Sequence, residues 1–411
     1  MSTVSEPVIT DNFATTRAPR ILSLDIFRGL TMAVMIFVNE LSEVHGLPRW
    51  TYHAHAREDY MTYVDMVFPF FLFIVGMSIP LSGTQRLRKD PSLPALWLHV
   101  ALRALSLLVL GLFLANAEKA DAARMGISGT AWALLGLVSA ALYLNIYPRS
   151  NRFPVYATVL RVLGLIGVVI LLAIFRRTTP SGGSAWLDFS YPEILGLIGL
   201  SYLAASILYI PTRRWQWMQP IWFALMLALC AVSTAKLLIY PARLPLYIWP
   251  FGNGAMVCII MAGIVTSNLL LKPRTNPPTS RPIWFTVGFG LLMLAAGAVF
   301  MPLGISKIRA TPTWSLWSIG ASVLMMAALY WICDIKRHTA WAFPFIPAGS
   351  NTLLTYLLPD LWYFLTVSLG LTYLDTHFVA GWPGVVKTLI FTAVMLALAW
   401  ACTKARLRLQ L

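Results

Sequence analysis

Apolar residues run along this chain in long blocks rather than in the strict alternation of a half-buried strand or the narrow stripe of a surface helix. Crossing the hydrocarbon core of a bilayer as a helix takes ~20 mostly apolar residues, and about twelve stretches approach that length. The first two are centred on Leu30–Val38 and Met66–Ile79 and form a hairpin within Arg20–Ser82. Then come Pro94–Ala117, Ala131–Tyr147 and Pro154–Phe175, followed by runs opening near Pro192, Trp217, Gly252, Pro282, Trp314, Ile346 and Val385. The pattern predicts an all-α polytopic transmembrane bundle of about twelve spans, with ten as the lower bound. Residues 1–20 are expected to form a polar cytoplasmic segment, 21–404 one transmembrane domain, and 405–411 a short basic cytoplasmic tail.

Composition agrees with that class. Of 411 residues, 58% are hydrophobic and 11% charged, and the mean hydropathy is +0.71. The net charge of +15 is spread in short groups between apolar runs, which marks topology and not a nucleic-acid footprint. With the N-terminus inside, cytoplasmic segments collect Arg17, Arg20, Arg86, Arg88, Lys89, Arg149, Arg152, Arg213, Arg214, Lys272, Arg274, Arg281, Lys336, Arg337, Lys404, Arg406 and Arg408. The other side collects Arg49, Arg57, Lys119, Arg124, Arg176, Arg177, Lys236, Arg243, Lys307 and Arg309. The bias favours both termini in the cytoplasm. Met1–Pro19 contains no apolar h-region, so the first span is expected to direct insertion itself. Cys230, Cys258, Cys333 and Cys402 fall inside apolar segments without close spacing, which predicts neither a disulfide framework nor a thiolate metal site.

The hairpin keeps polar residues where they are costly. Asp25 and Arg28 stand three apart at the start of the first span and share a helix face. Either Arg28 snorkels to the headgroups or its guanidinium meets an anionic ligand such as a phosphate. Asn39 lies near the far end of that span, and His53, His55, Glu58 and Asp59 crowd the connection Tyr52–Tyr60. An H-x-H pair lacks the third and fourth ligands that zinc requires, so no metal is expected. An imidazole able to take a proton, or to carry an acyl group, is the chemical alternative to a plain solvated loop. Asp65 opens the second span and serves either as a helix cap or as the partner that orients an imidazole. Asn39 is a candidate donor to an oxyanion. Farther on, Tyr191, Glu193, Lys307, Asn351 and Asp360 add polar groups that imply a polar cavity in the bundle.

The blocks SLDIFRGLTMAVMIFVN (Ser23–Asn39), HAREDYMTYVDMVFPFFLFIVGMSI (His55–Ile79), LGLIGLSYL (Leu195–Leu203), TPTWSLWS (Thr311–Ser318) and GSNTLLTY (Gly349–Tyr356) resemble the membrane acyltransferases related to heparan-alpha-glucosaminide N-acetyltransferase, its bacterial branch included. In that family a histidine ten residues before the aspartate of D-x-V-F-P is the active-site residue, a position held here by His55. The family's H-A-x-W-x-G reads His55-Ala56-Arg57-Glu58-Asp59-Tyr60, without the tryptophan and glycine.

The resemblance implies transfer of an acetyl group from cytoplasmic acetyl-CoA to an amine or hydroxyl of a sugar or glycan on the far side. His55, Asp65 and Asn39 would be catalytic, and Arg28, Asp25, Lys307 and Asn351 would hold the donor. Expected partners are acyl-CoA, the glycan acceptor and membrane lipids, with no nucleic acid; a homodimer is a further expectation. In a bacterial cell the chain would be a multi-pass protein of the inner membrane. The rival is a twelve-span secondary transporter of a small polar or anionic solute, because intramembrane charges also line substrate paths. Against it, SGTQRLRKDPS after the second span lacks the major-facilitator loop pattern, and the two halves show no repeat.

Overall fold

The computed structural model describes residues 21–147, 154–238, 251–271, 281–371 and 373–410. Arg17, Arg20, Arg149, Arg152, Arg243, Lys272 and Arg274, used above for orientation, lie outside the described residues, as does the segment 1–20.

Each apolar stretch is helical. The helices are α1 (Leu22–Leu41), α2 (Val67–Lys89), α3 (Leu93–Asn116), α4 (Gly129–Leu144), α5 (Pro154–Ile174) and α6 (Glu193–Thr212). They continue as α7 (Met218–Thr234), α8 (Ala255–Leu271), α9 (Arg281–Val299), α10 (Pro312–Leu329), α11 (Thr352–Ser368) and α12 (Gly381–Lys404). Among the described residues, eight helices are long and apolar enough to cross a membrane, while α4, α7 and α8 are apolar but shorter. At 1.5 Å per residue the 17 residues of α8 cover ~26 Å, short of a ~30 Å hydrocarbon core. The only sheet among the described residues is the two-stranded hairpin of Arg177–Thr178 with Ser184–Ala185.

The bundle has a buried centre and a lipid-facing rim. In the apolar window of α2, 72% of residues are buried, against 11% in α5. Short as it is, α8 is buried along most of its length, packed against α2 and α7. Small residues allow that approach: a Cβ on Gly76 would stand 2.0 Å from the Ile260 carbonyl oxygen, and one on Gly263 2.2 Å from that of Phe73. Without a hydrophobic drive between helices in lipid, such close backbone packing is what holds them together. α1 is placed from far along the chain, since the Asp334 carboxylate accepts the N–H groups of Leu22 (3.3 Å) and Ser23 (3.1 Å), capping a helix start that lacks its own cap.

Residues 405–410 are not a free tail. Gln410 N–H donates to the Leu144 carbonyl (3.1 Å) and Ile146 N–H to that of Arg408 (2.9 Å), which stitches the chain end to the end of α4.

Candidate active site

Asp65 stands one turn before α2, in a 3-10 turn over Tyr63–Met66. Its carboxylate is fully buried. One oxygen, Oδ2, accepts the N–H of Thr62 (3.0 Å) and of Ala54 (3.3 Å). Thr62 and Asp65 thus form a reciprocal capping box that starts the helix. The other oxygen, Oδ1, lies 2.7 Å from His53 Nδ1. The Asp65 backbone carbonyl receives the Trp314 indole N–H at 3.0 Å, which pins the turn to α10. Cap and imidazole partner are therefore the same carboxylate.

The histidine it holds is not the one that spacing predicts. His55 opens a tight turn in which its carbonyl accepts the Glu58 N–H (3.0 Å) and its own N–H donates to the Glu58 carboxylate (3.3 Å). His55 is exposed, as His53 also is, and among the described residues only His53 of this pair contacts the Asp65 carboxylate through its side chain. Ala54, tied by its N–H to Asp65, sets His53 beside the carboxylate instead. Ten residues of separation do not bring the His55 ring to Asp65, because the backbone turns between them.

His53 lines a cleft of about 30 Å³ with Asn39, Met35, Val64, Phe68 and Lys307. Among the described residues, no hydrogen-bond partner occupies the Asn39 side-chain amide, which is exposed at the end of α1. Lys307, from the connection between α9 and α10, brings Nζ to 3.4 Å from His53 Nδ1. Burial pushes the Lys307 ammonium below the ordinary lysine range, and the charge of Asp65 opposes that fall. An ionised carboxylate can only accept, so Nδ1 carries a proton toward Asp65, and in the neutral imidazole the lone pair is then on Nε2. The arrangement is an oriented general base with an amide and an ammonium beside it.

The loop that carries the imidazole is clasped from outside. Arg309 pairs with Asp59, and Ile305 N–H donates to the same carboxylate at 3.1 Å, so Asp59 is held below the usual carboxylate range. Arg49 pairs with Glu58 and lowers its pKa likewise. Close by, Ile194 at the start of α6 borders the cleft, and the preceding Glu193, at φ 58°, accepts the Tyr356 hydroxyl at 3.1 Å.

The other expected residues separate. Asp25 pairs with Arg28 at 3.1 Å, and Arg28 also donates to Ser78 Oγ midway along α2. Arg28 is eleven residues from Asn39 on the same helix, or ~16 Å. Lys307, expected beside the donor, sits with the imidazole instead, because its loop folds over the α1–α2 connection. Asn351 marks the break between the short helix Phe345–Ser350 and α11. Its amide donates to the Leu407 carbonyl (2.8 Å) and Thr403 Oγ1 (3.2 Å) and accepts the Leu409 N–H (3.2 Å), so it fastens the chain end and leaves no donor for a ligand. No group of three or more His, Cys, Asp or Glu able to hold a metal occurs among the described residues.

The family described as Domain of unknown function (DUF5009) matches residues 20–270, more than half of the chain. Heparan-alpha-glucosaminide N-acetyltransferase of Homo sapiens is 38% identical over 98 residues, which is 24% of this chain and 14% of that protein. The Mus musculus protein of the same name is 34% identical over 115 residues, 27% of this chain and 17% of its own length. The matched stretch thus spans less than a fifth of either curated relative.

Proposed function

The chain belongs to the DUF5009 family, and from that premise, with its kinship to an N-acetyltransferase, we propose that it is an integral membrane acyltransferase. The observation that carries this reading is the 2.7 Å contact that ties a buried carboxylate, Asp65, to His53 at a cleft shared with Asn39 and Lys307. Asp65 keeps the proton on Nδ1, so Nε2 is the base. Nε2 takes the proton from an acceptor amine or hydroxyl as that atom attacks the thioester carbonyl of acetyl-CoA. The carbonyl oxygen gains negative charge, which the Asn39 amide and the Lys307 ammonium stabilise. On collapse the C–S bond breaks, and the imidazolium returns its proton to the departing thiolate, releasing CoA–SH and the acylated acceptor.

The donor enters from the cytoplasm, with Arg28, oriented by Asp25, receiving part of its phosphate charge. The acceptor is a sugar or glycan on the opposite side, where the Tyr52–Tyr60 loop and Lys307 lie. Both termini face the cytoplasm, the helices make about twelve spans and two copies form a homodimer; in a bacterium the site is the inner membrane.

Radiolabelled acetyl-CoA supplied to the purified protein in nanodiscs tests the reading. The expected result is CoA release that rises when an aminosugar or neutral sugar acceptor is added. Uptake of a small anionic solute by proteoliposomes, without any thioester turnover, would replace acyl transfer with transport.

A further inference from the structure

We propose that the C-terminal end of α2 carries a second site, built for a phosphate-bearing anion. Arg86 lies 21 residues beyond Asp65, ~31 Å along the helix, so this region is separate from the imidazole cleft. Here α2, α3 and α6 enclose a cavity of about 310 Å³. Arg86, Arg88, His99 and Arg213 line it, and among the described residues no carboxylate does. The floor is made by Tyr202, Ser206 and Tyr209, all buried.

The donors in and beside this cavity have few protein partners, with Arg86 and Arg88 exposed and Arg213 half-buried. Among the described residues, no salt bridge engages Arg86, Arg88, Arg103 or Arg213, and neither phenol O–H of Tyr202 and Tyr209 has a hydrogen-bond partner. Arg213 Nη1 donates only to the nearby Ile210 carbonyl, at 2.7 Å. Just behind the floor, Arg103 stacks its guanidinium 4.7 Å from the Tyr202 ring centroid, and its Nε is buried without a partner. Cations gathered at one cavity without a counter-charge repel one another, and the one orphaned buried donor, Arg103 Nε, costs free energy. A ligand rich in acceptor oxygens and negative charge removes both costs at once. Phosphate fits better than carboxylate, since guanidinium forks match its oxygens and its charge answers several cations. Basic cavities between helices at headgroup depth take phosphate from lipids in this way. The same chemistry is offered by the phosphate end of a soluble nucleotide.

Two measurements on the full chain distinguish the sources. Calorimetric titration of detergent-purified protein with 3′,5′-ADP reads the soluble ligand. Native mass spectrometry from nanodiscs of mixed phosphatidylglycerol and phosphatidylcholine reads the lipid. One of the two probes is expected to bind wild-type protein and to weaken by at least about tenfold in Arg86→Gln/Arg213→Gln, and less in Tyr209→Phe. Binding in His53→Ala should equal wild type, because that residue lies at the other end of α2. Failure of both probes to bind wild type, or equal binding by wild type and both cavity variants while each elutes as a single species, overturns the site. Wild-type protein that binds a probe yet never turns over acetyl-CoA refutes acyl transfer and leaves this site standing.

Discussion

The two ends of α2 solve the cost of charge in a membrane protein in opposite ways. At its N-terminal end Asp65 is buried but saturated: two backbone amides and an imidazole occupy its oxygens, and the adjoining loops pair Asp59 with Arg309 and Glu58 with Arg49. At its C-terminal end Arg86, Arg88 and Arg213 converge on a cavity whose lining, among the described residues, holds no carboxylate. A saturated network fixes geometry, which a general base needs, whereas an unsatisfied one keeps free energy in reserve for a ligand. The same helix therefore presents a preorganised end and a waiting end.

Removing the anchor of the preorganised end should have the largest effect. In Asp65→Asn the amide can present a donor to Nδ1 and so favour the wrong tautomer, and acyl transfer should fall ~10²–10⁴-fold with the fold retained. Asp65→Ala should also destabilise, by about 1–3 kcal/mol for each backbone N–H left without an acceptor, read as a lowered Tm in nanodiscs. A Tm unchanged in Asp65→Ala would mean that the network is not the anchor described. At the waiting end the sign reverses: Arg86→Gln should leave the Tm unchanged or raise it slightly without ligand, because it relieves repulsion among cations. A drop of several degrees would show that Arg86 already has a partner.

The smallest effect concerns the outer clasp. Because Arg309 holds Asp59 below its unfolded pKa of about 3.9, the clasp contributes fully above that value and is lost as pH falls through the lower folded one. Hydrogen exchange in residues 301–311 should therefore quicken on acidification below about pH 4 in wild type and lose that dependence in Asp59→Asn.

Much of this was legible in the residue pattern. The apolar blocks located the helices because a bilayer fixes both their length and their composition. Asp65 and Asn39 stood out because polar groups beside apolar runs are costly. The choice between His53 and His55 was not legible, since it depends on a four-residue turn, His55 to Glu58, that leaves the His53 imidazole, and not the His55 one, against Asp65. Lys307 arrives through a contact more than 250 residues long in sequence separation. Asn351 looked like a ligand group and is a fastener, because only the folded chain brings Leu407 and Leu409 to its amide. Arg86, Arg88 and Arg213 scored as topology signals; their convergence on one cavity exists only in three dimensions.

The central claim is that the imidazole held by Asp65 performs the proton transfer. CoA release from acetyl-CoA by purified wild type, His53→Ala and His55→Ala, with a sugar acceptor at saturation, tests it most directly. The account predicts a fall of ~10²–10⁴-fold in His53→Ala and a rate within about twofold of wild type in His55→Ala. Activity retained in His53→Ala and abolished in His55→Ala would contradict it.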